Sequence, residues 1–88
     1  MRYDVRLSHR AAKDLDKLDG KARERVLNRL ERLAEDPFDP RLSSSLTHRD
    51  RLRKSRVGGW RIVFAVDEDQ RILNVVTIER RGQVYQRI

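Results

Sequence analysis

The stretch Arg51-Leu52-Arg53-Lys54-Ser55-Arg56-Val57-Gly58-Gly59-Trp60-Arg61-Ile62-Val63-Phe64 reads as a β-hairpin closed on a Gly-Gly pair. Two adjacent residues with free access to positive φ suit a two-residue turn, and such a turn sets the register. Val57 then pairs with Trp60, Arg56 with Arg61 and Lys54 with Val63. Directly opposed residues share a face of the sheet. Lys54, Arg56 and Arg61 therefore emerge on one side, and Val57, Trp60, Ile62 and Phe64 on the other. The second side predicts a core face. The first places like charges opposite each other, which destabilises a sheet and is explained by a polyanion facing it. Arg53 has the parity of the core face and falls outside this pattern.

The elements around the hairpin follow from periodicity. Tyr3, Val5 and Leu7 alternate with Arg2, Asp4 and Arg6, predicting a strand with one buried face. Ser8 is an N-cap for a helix running to about residue 18, with Ala11, Ala12, Leu15 and Leu18 on its apolar stripe. Asp19-Gly20 interrupts it. A second helix is expected over about 21–35, where Ala22, Val26, Leu30 and Leu33 recur at helical spacing beside Leu27 and Ala34. Asp36-Pro37 ends it, since the residue before proline disfavours helix. Residues 36–49 read as a loop. Strands follow near 50–57, 60–67 and 71–79, the last two joined by the acidic turn Asp67-Glu68-Asp69-Gln70, and the tail over 80–88 offers a short final pairing. One strand, two helices and then hairpin-linked strands predict an α+β fold: a two-helix hairpin packed on a mainly antiparallel sheet of about four strands.

The 88 residues suit one domain, expected to span 1–88. The net charge of +7 is unevenly placed: residues 41–65 hold seven cations and one anion. A localised basic patch is the electrostatic footprint of a nucleic-acid partner. The chain has no cysteine, so disulfide and thiolate chemistry are excluded. No apolar run reaches the length of a membrane span, and the alternating N-terminus does not read as a signal peptide, so the cytoplasm is the expected location and no membrane partner is expected. His9 and His48 fit no metal-ligand spacing, Gly58-Gly59 joins two strands rather than a strand and a helix, and the carboxylates are scattered. No metal or cofactor is expected.

The groups left to do chemistry are Lys54, Arg56, Arg61, the pair Arg80/Arg81, and Tyr85. RNA can be cut by attack of its own 2′-OH on the adjacent phosphate. That reaction needs removal of the 2′ proton, cations at the phosphate as charge builds, and a donor to the leaving oxygen. Guanidinium forks match phosphate oxygens, a lysine among arginines has its pKa pushed down, and a tyrosine can stack on a base. Arg51 and Arg53 extend the same basic run as phosphate contacts.

The chain resembles the RelE/ParE superfamily of type II toxins. Tyr3-Asp4-Val5-Arg6-Leu7-Ser8 with Ala11, Asp14, Leu15 and Leu18 is similar to the family's opening strand and helix. The run from Leu52 to Phe64 looks like its hairpin, and Ile78-Glu79-Arg80-Arg81-Gly82-Gln83-Val84-Tyr85 like its ending. The resemblance implies a RelE-like fold and, for the RelE branch, metal-independent cleavage of mRNA in the ribosomal A site. On that pattern Lys54 assists the 2′-OH, Arg61 holds the scissile phosphate, Arg81 serves the leaving oxygen and Tyr85 orients the base. Arg51, Arg53, Arg56 and Arg80 are further RNA contacts. Leu52 stands where some members have another lysine, and the short spacing before Tyr85 lets Arg80 and Arg81 compete for one role. The alternative within the superfamily is a ParE-type inhibitor of DNA gyrase. Either branch implies a cognate antitoxin whose C-terminal segment wraps the toxin.

Overall fold

The sequence patterns become seven elements in a computed structural model that describes residues 2–46 and 51–80. In chain order these are β1 (Asp4–Leu7), α1 (His9–Asp16), α2 (Gly20–Glu35), β2 (Ser44–Ser45), β3 (Leu52–Val57), β4 (Trp60–Asp67) and β5 (Ile72–Arg80). They form one five-stranded sheet in the order β1-β5-β4-β3-β2. All neighbours are antiparallel except β1, which runs parallel to β5. The strand beyond the expected four is β2, a two-residue edge pairing that a serine run does not advertise.

The helix boundaries follow from caps. The Ser8 Oγ accepts a hydrogen bond from the Ala11 N–H at 2.9 Å and donates to the Val76 carbonyl at 2.7 Å, so one hydroxyl starts α1 and ties it to β5. Helix α1 stops at Asp16, earlier than expected, because Asp19 is already the N-cap of α2, accepting from the Ala22 N–H at 2.8 Å. Arg23 crosses back to donate to the carbonyls of Leu15, Asp16 and Leu18 where α1 ends. Strand β1 pairs with β5 only as far as Val75. Beyond it α1 seals the edge, where the Asp14 carboxylate accepts from the Ile78 N–H at 3.0 Å and the Thr77 hydroxyl at 2.8 Å.

The core lies between the helices and one face of the sheet. Ala11, Leu18, Val26, Leu30 and Leu33 meet Val57, Ile62, Phe64, Leu73, Val75 and Ile78, with Ile62 and Phe64 fully buried. Two apolar residues depart from expectation. Leu7 is 37% exposed because α1 begins two residues later and leaves its side uncovered, and Leu27 faces solvent on the flank of α2.

Strand β5 carries one extra residue. Asp67 pairs with Ile72 and Phe64 with Val75, but Val63 pairs with Thr77, leaving Val76 as a bulge. A one-residue shift moves every later side chain to the other face. Beyond Val76, Glu79 lies opposite Arg61 and Arg80 opposite Trp60.

Candidate functional site

The hairpin forms in the expected register: Val57 pairs with Trp60, Arg56 with Arg61, Lys54 with Val63. Of the two turn glycines only Gly58 adopts a left-handed φ, at +57°. The register puts Lys54, Arg56 and Arg61 on the face away from the helices. Ser44 of β2 extends the row of Lys54, and Glu79 of β5 extends the row of Arg56 and Arg61.

The three cations differ in their engagement. Arg61 is held by Glu79: its Nε donates to Glu79 Oε2 at 3.0 Å and its Nη2 donates to the same oxygen. Both side chains are 28% exposed, so the pair is half-sheltered from water. Lys54 and Arg56 make no side-chain hydrogen bond or ion pair among the described residues, which leaves their charge available to a ligand.

The remaining expected contacts scatter. Arg53 points to the helix side, beyond the end of α2. There its guanidinium donates to Ser43 Oγ at 3.0 and 3.1 Å and lies 5.1 Å from the Phe38 ring centre, which accounts for a cation at a position of core parity. Arg51 lines a cleft with the acidic turn residues Asp67, Glu68 and Asp69. Arg80 lies 5.0 Å from the Trp60 ring centre, on the helix side of the sheet and away from Lys54, Arg56 and Arg61. The Val76 bulge is the reason, since in-phase pairing would turn Arg80 toward the cations. Arg81, Tyr85, His48 and the final pairing expected in the tail lie outside the described residues.

Two participants were not found from sequence. Glu79 is reached only through the bulge. Arg29, on the polar side of α2, reaches the free edge of β3 and donates to Ser55 Oγ at 2.9 Å and the Arg56 carbonyl at 2.7 Å. Burial, reinforced by the charge of Arg32, pulls its pKa below the ordinary arginine value. Helical periodicity places Arg29 off the apolar stripe but does not say what it touches. Arg29, Arg41, Ser43, Ser44, Lys54 and Arg56 together line a groove of about 400 Å³. Among the described residues no group of three or more His, Cys, Asp or Glu side chains could hold a metal ion, and no helix is long and apolar enough to cross a membrane.

This arrangement of strands and helices is found in solved toxins. Escherichia coli RelE bound to a peptide of its antitoxin RelB superposes with a TM-score of 0.83 at 23% identity, over 99% of this chain and 94% of that one. The toxin of the RelBE2 complex from Mycobacterium tuberculosis gives 0.81 at 22%, over 92% and 100%. A YoeB/ParE toxin from Agrobacterium tumefaciens gives 0.75 at 16%, over 88% and 96%. The fold is RelE-like. The family model described as the ParE toxin of the type II toxin-antitoxin system parDE matches residues 5–85, and the chain belongs to that family, within the RelE/ParE superfamily of type II toxins. No curated protein matches the chain.

Proposed function

We propose that this toxin is a ribosome-dependent endoribonuclease that cuts mRNA in the A site. The observation that carries the reading is the pair of unengaged cations, Lys54 and Arg56, beside Arg61 on the sheet face away from the helices. A phosphate arriving there meets cations in fixed positions on paired strands. In the proposed reaction the 2′-oxygen attacks the adjacent phosphorus and loses its proton to Lys54 or to a water that Lys54 orients. The bond from phosphorus to the 5′-oxygen breaks, and Arg81 assists the proton that the leaving oxygen takes up. The products are a 2′,3′-cyclic phosphate and a 5′-hydroxyl. Arg56 and Arg61 stabilise the charge on the phosphate, and Tyr85 stacks on the base. Arg61 must exchange Glu79 for the phosphate to take part.

A second reading, inhibition of DNA gyrase without cleavage, draws support from the ParE family match and from the hold of Glu79 on Arg61. In either reading we propose a cognate antitoxin as partner, supported by the solved toxin–antitoxin complexes that share the fold.

The test is primer extension on a defined mRNA with translating ribosomes, comparing the protein with Arg61→Ala. Cuts within A-site codons that disappear in the variant are expected. Intact mRNA with both proteins, together with relief of growth arrest in cells carrying a resistant gyrase, would move the function to the second reading.

A further inference from the structure

The groove between α2, the loop before β2 and the free edge of β3 shares Lys54 and Arg56 with the reaction above, but its other cations, Arg29 and Arg41, have no place in that reaction. Its walls hold four cations, Arg29, Arg41, Lys54 and Arg56, with the hydroxyls of Ser43 and Ser44. Asp39 is the acid held nearby, and it is committed to Arg41, receiving Nη2 at 2.9 Å and the Arg41 N–H at 2.9 Å. Arg29 lacks a compensating charge: it is partly buried and has no carboxylate partner among the described residues. Its hydrogen bonds go to a neutral hydroxyl and a carbonyl, and burial together with Arg32 weakens its hold on its proton. A bound anion would compensate Arg29, Lys54 and Arg56 together and meet the outer side of Arg41.

The chemistry of the walls selects the kind of anion. Beyond Ser44, β3 has a free edge, and an acidic peptide could add there as a strand only by using the backbone of Arg56. Arg29 already occupies the Arg56 carbonyl. Side-chain guanidinium and ammonium groups remain, and these suit the separated oxygens of a phosphodiester backbone. Lys54 and Arg56 border both the groove and the catalytic face, so one strand can run continuously from one to the other.

We propose that this groove is a phosphate-binding subsite for single-stranded RNA, in which Arg29 and Arg41 grip the backbone flanking the nucleotide that is cut. The inference rests on the ribonuclease reading for its substrate but assigns residues outside the reacting set.

The test is fluorescence anisotropy with a 2′-O-methyl oligoribonucleotide, which can bind but not be cleaved, titrated over a range of KCl concentrations. For every phosphate that a variant no longer neutralises, the slope of log affinity against log salt should fall by about 0.7. Arg41→Gln, which also removes the side-chain partner of Asp39 and is therefore checked by urea denaturation for retained folding, and Arg29→Lys, which keeps the charge but loses the fork, are compared with Lys13→Gln on α1. Arg41→Gln is expected to weaken binding by about three- to tenfold at low salt and to flatten the slope, with Lys13→Gln unchanged. Arg29→Lys should weaken affinity while keeping the slope. Slopes and affinities equal to the parent in both groove variants would overturn the proposal, as would tighter binding of a polyglutamate peptide of equal charge than of the RNA. Cleavage on ribosomes is scored separately. A protein that cuts but shows no groove effect refutes the subsite alone, and one that shows the groove effect but cuts nothing refutes the ribonuclease reading alone.

Discussion

Glu79 decides what Arg61 can do. Exposed ion pairs contribute about 0–1 kcal/mol, and this one, half-sheltered and anchored on paired strands, belongs near the top of that range. Glu79→Gln should therefore cost about 1 kcal/mol or less in stability, measured by urea denaturation. It should also free Arg61 and raise RNA affinity and cleavage several-fold. Unchanged affinity in Glu79→Gln would mean that Arg61 is a structural partner of Glu79 rather than a phosphate ligand. Asp39 carries a pH effect of known sign. The hydrogen bond from the Arg41 side chain, and then that from its backbone N–H, hold the Asp39 pKa below the ordinary carboxylate value. The stability it contributes is present above the unfolded-state pKa and is lost as pH falls through the lowered folded-state value. Asp39→Asn should lower the neutral plateau of a thermal-melt pH profile, leave its acid end almost unchanged, and so flatten the acid limb between them.

The hairpin and the bulge show how local rules act on whole elements. Gly58 sits at a left-handed φ, where a Cβ is strained even though the space beside it, next to Arg25 Nη1 at 3.4 Å, is ordinary. Gly58→Ala should cost about 1–2 kcal/mol, seen as a lower urea midpoint, while Gly59→Ala should cost less because Gly59 has no left-handed φ and nothing crowds its Cβ. The capping serine is a second lever. Ser8→Ala should cost about 1–2 kcal/mol, since it leaves the Ala11 N–H without its cap and breaks the link to Val76. The hairpin register was legible because the turn and the alternation lie within fourteen neighbouring residues. The phase of β5 was not. Its turn at 67–72 predicts one phase, and the bulge at Val76 imposes another, held by contacts to Ser8 and Asp14 far away in the chain.

At the scale of the molecule, one buried layer supports the cationic face. Phe64 is fully buried between the helices and the sheet, and Phe64→Ala should cost about 3–5 kcal/mol. For a domain whose total stability is about 5–15 kcal/mol, that change should shift the urea midpoint sharply and reduce activity through loss of folded protein. Local sequence was enough for the α+β class, the two helices and the Ser8 cap, the hairpin register, and the placing of Lys54, Arg56 and Arg61 on one face. Those features rest on spacing and turn chemistry within short segments. The partnership of Arg61 with Glu79, the turning of Arg80 onto Trp60, the docking of Arg53 on Ser43 and Phe38, and the reach of Arg29 to the edge of β3 came from folding. Each joins segments brought together by packing, and a single extra residue in β5 is enough to exchange which charges share the face of Lys54, Arg56 and Arg61.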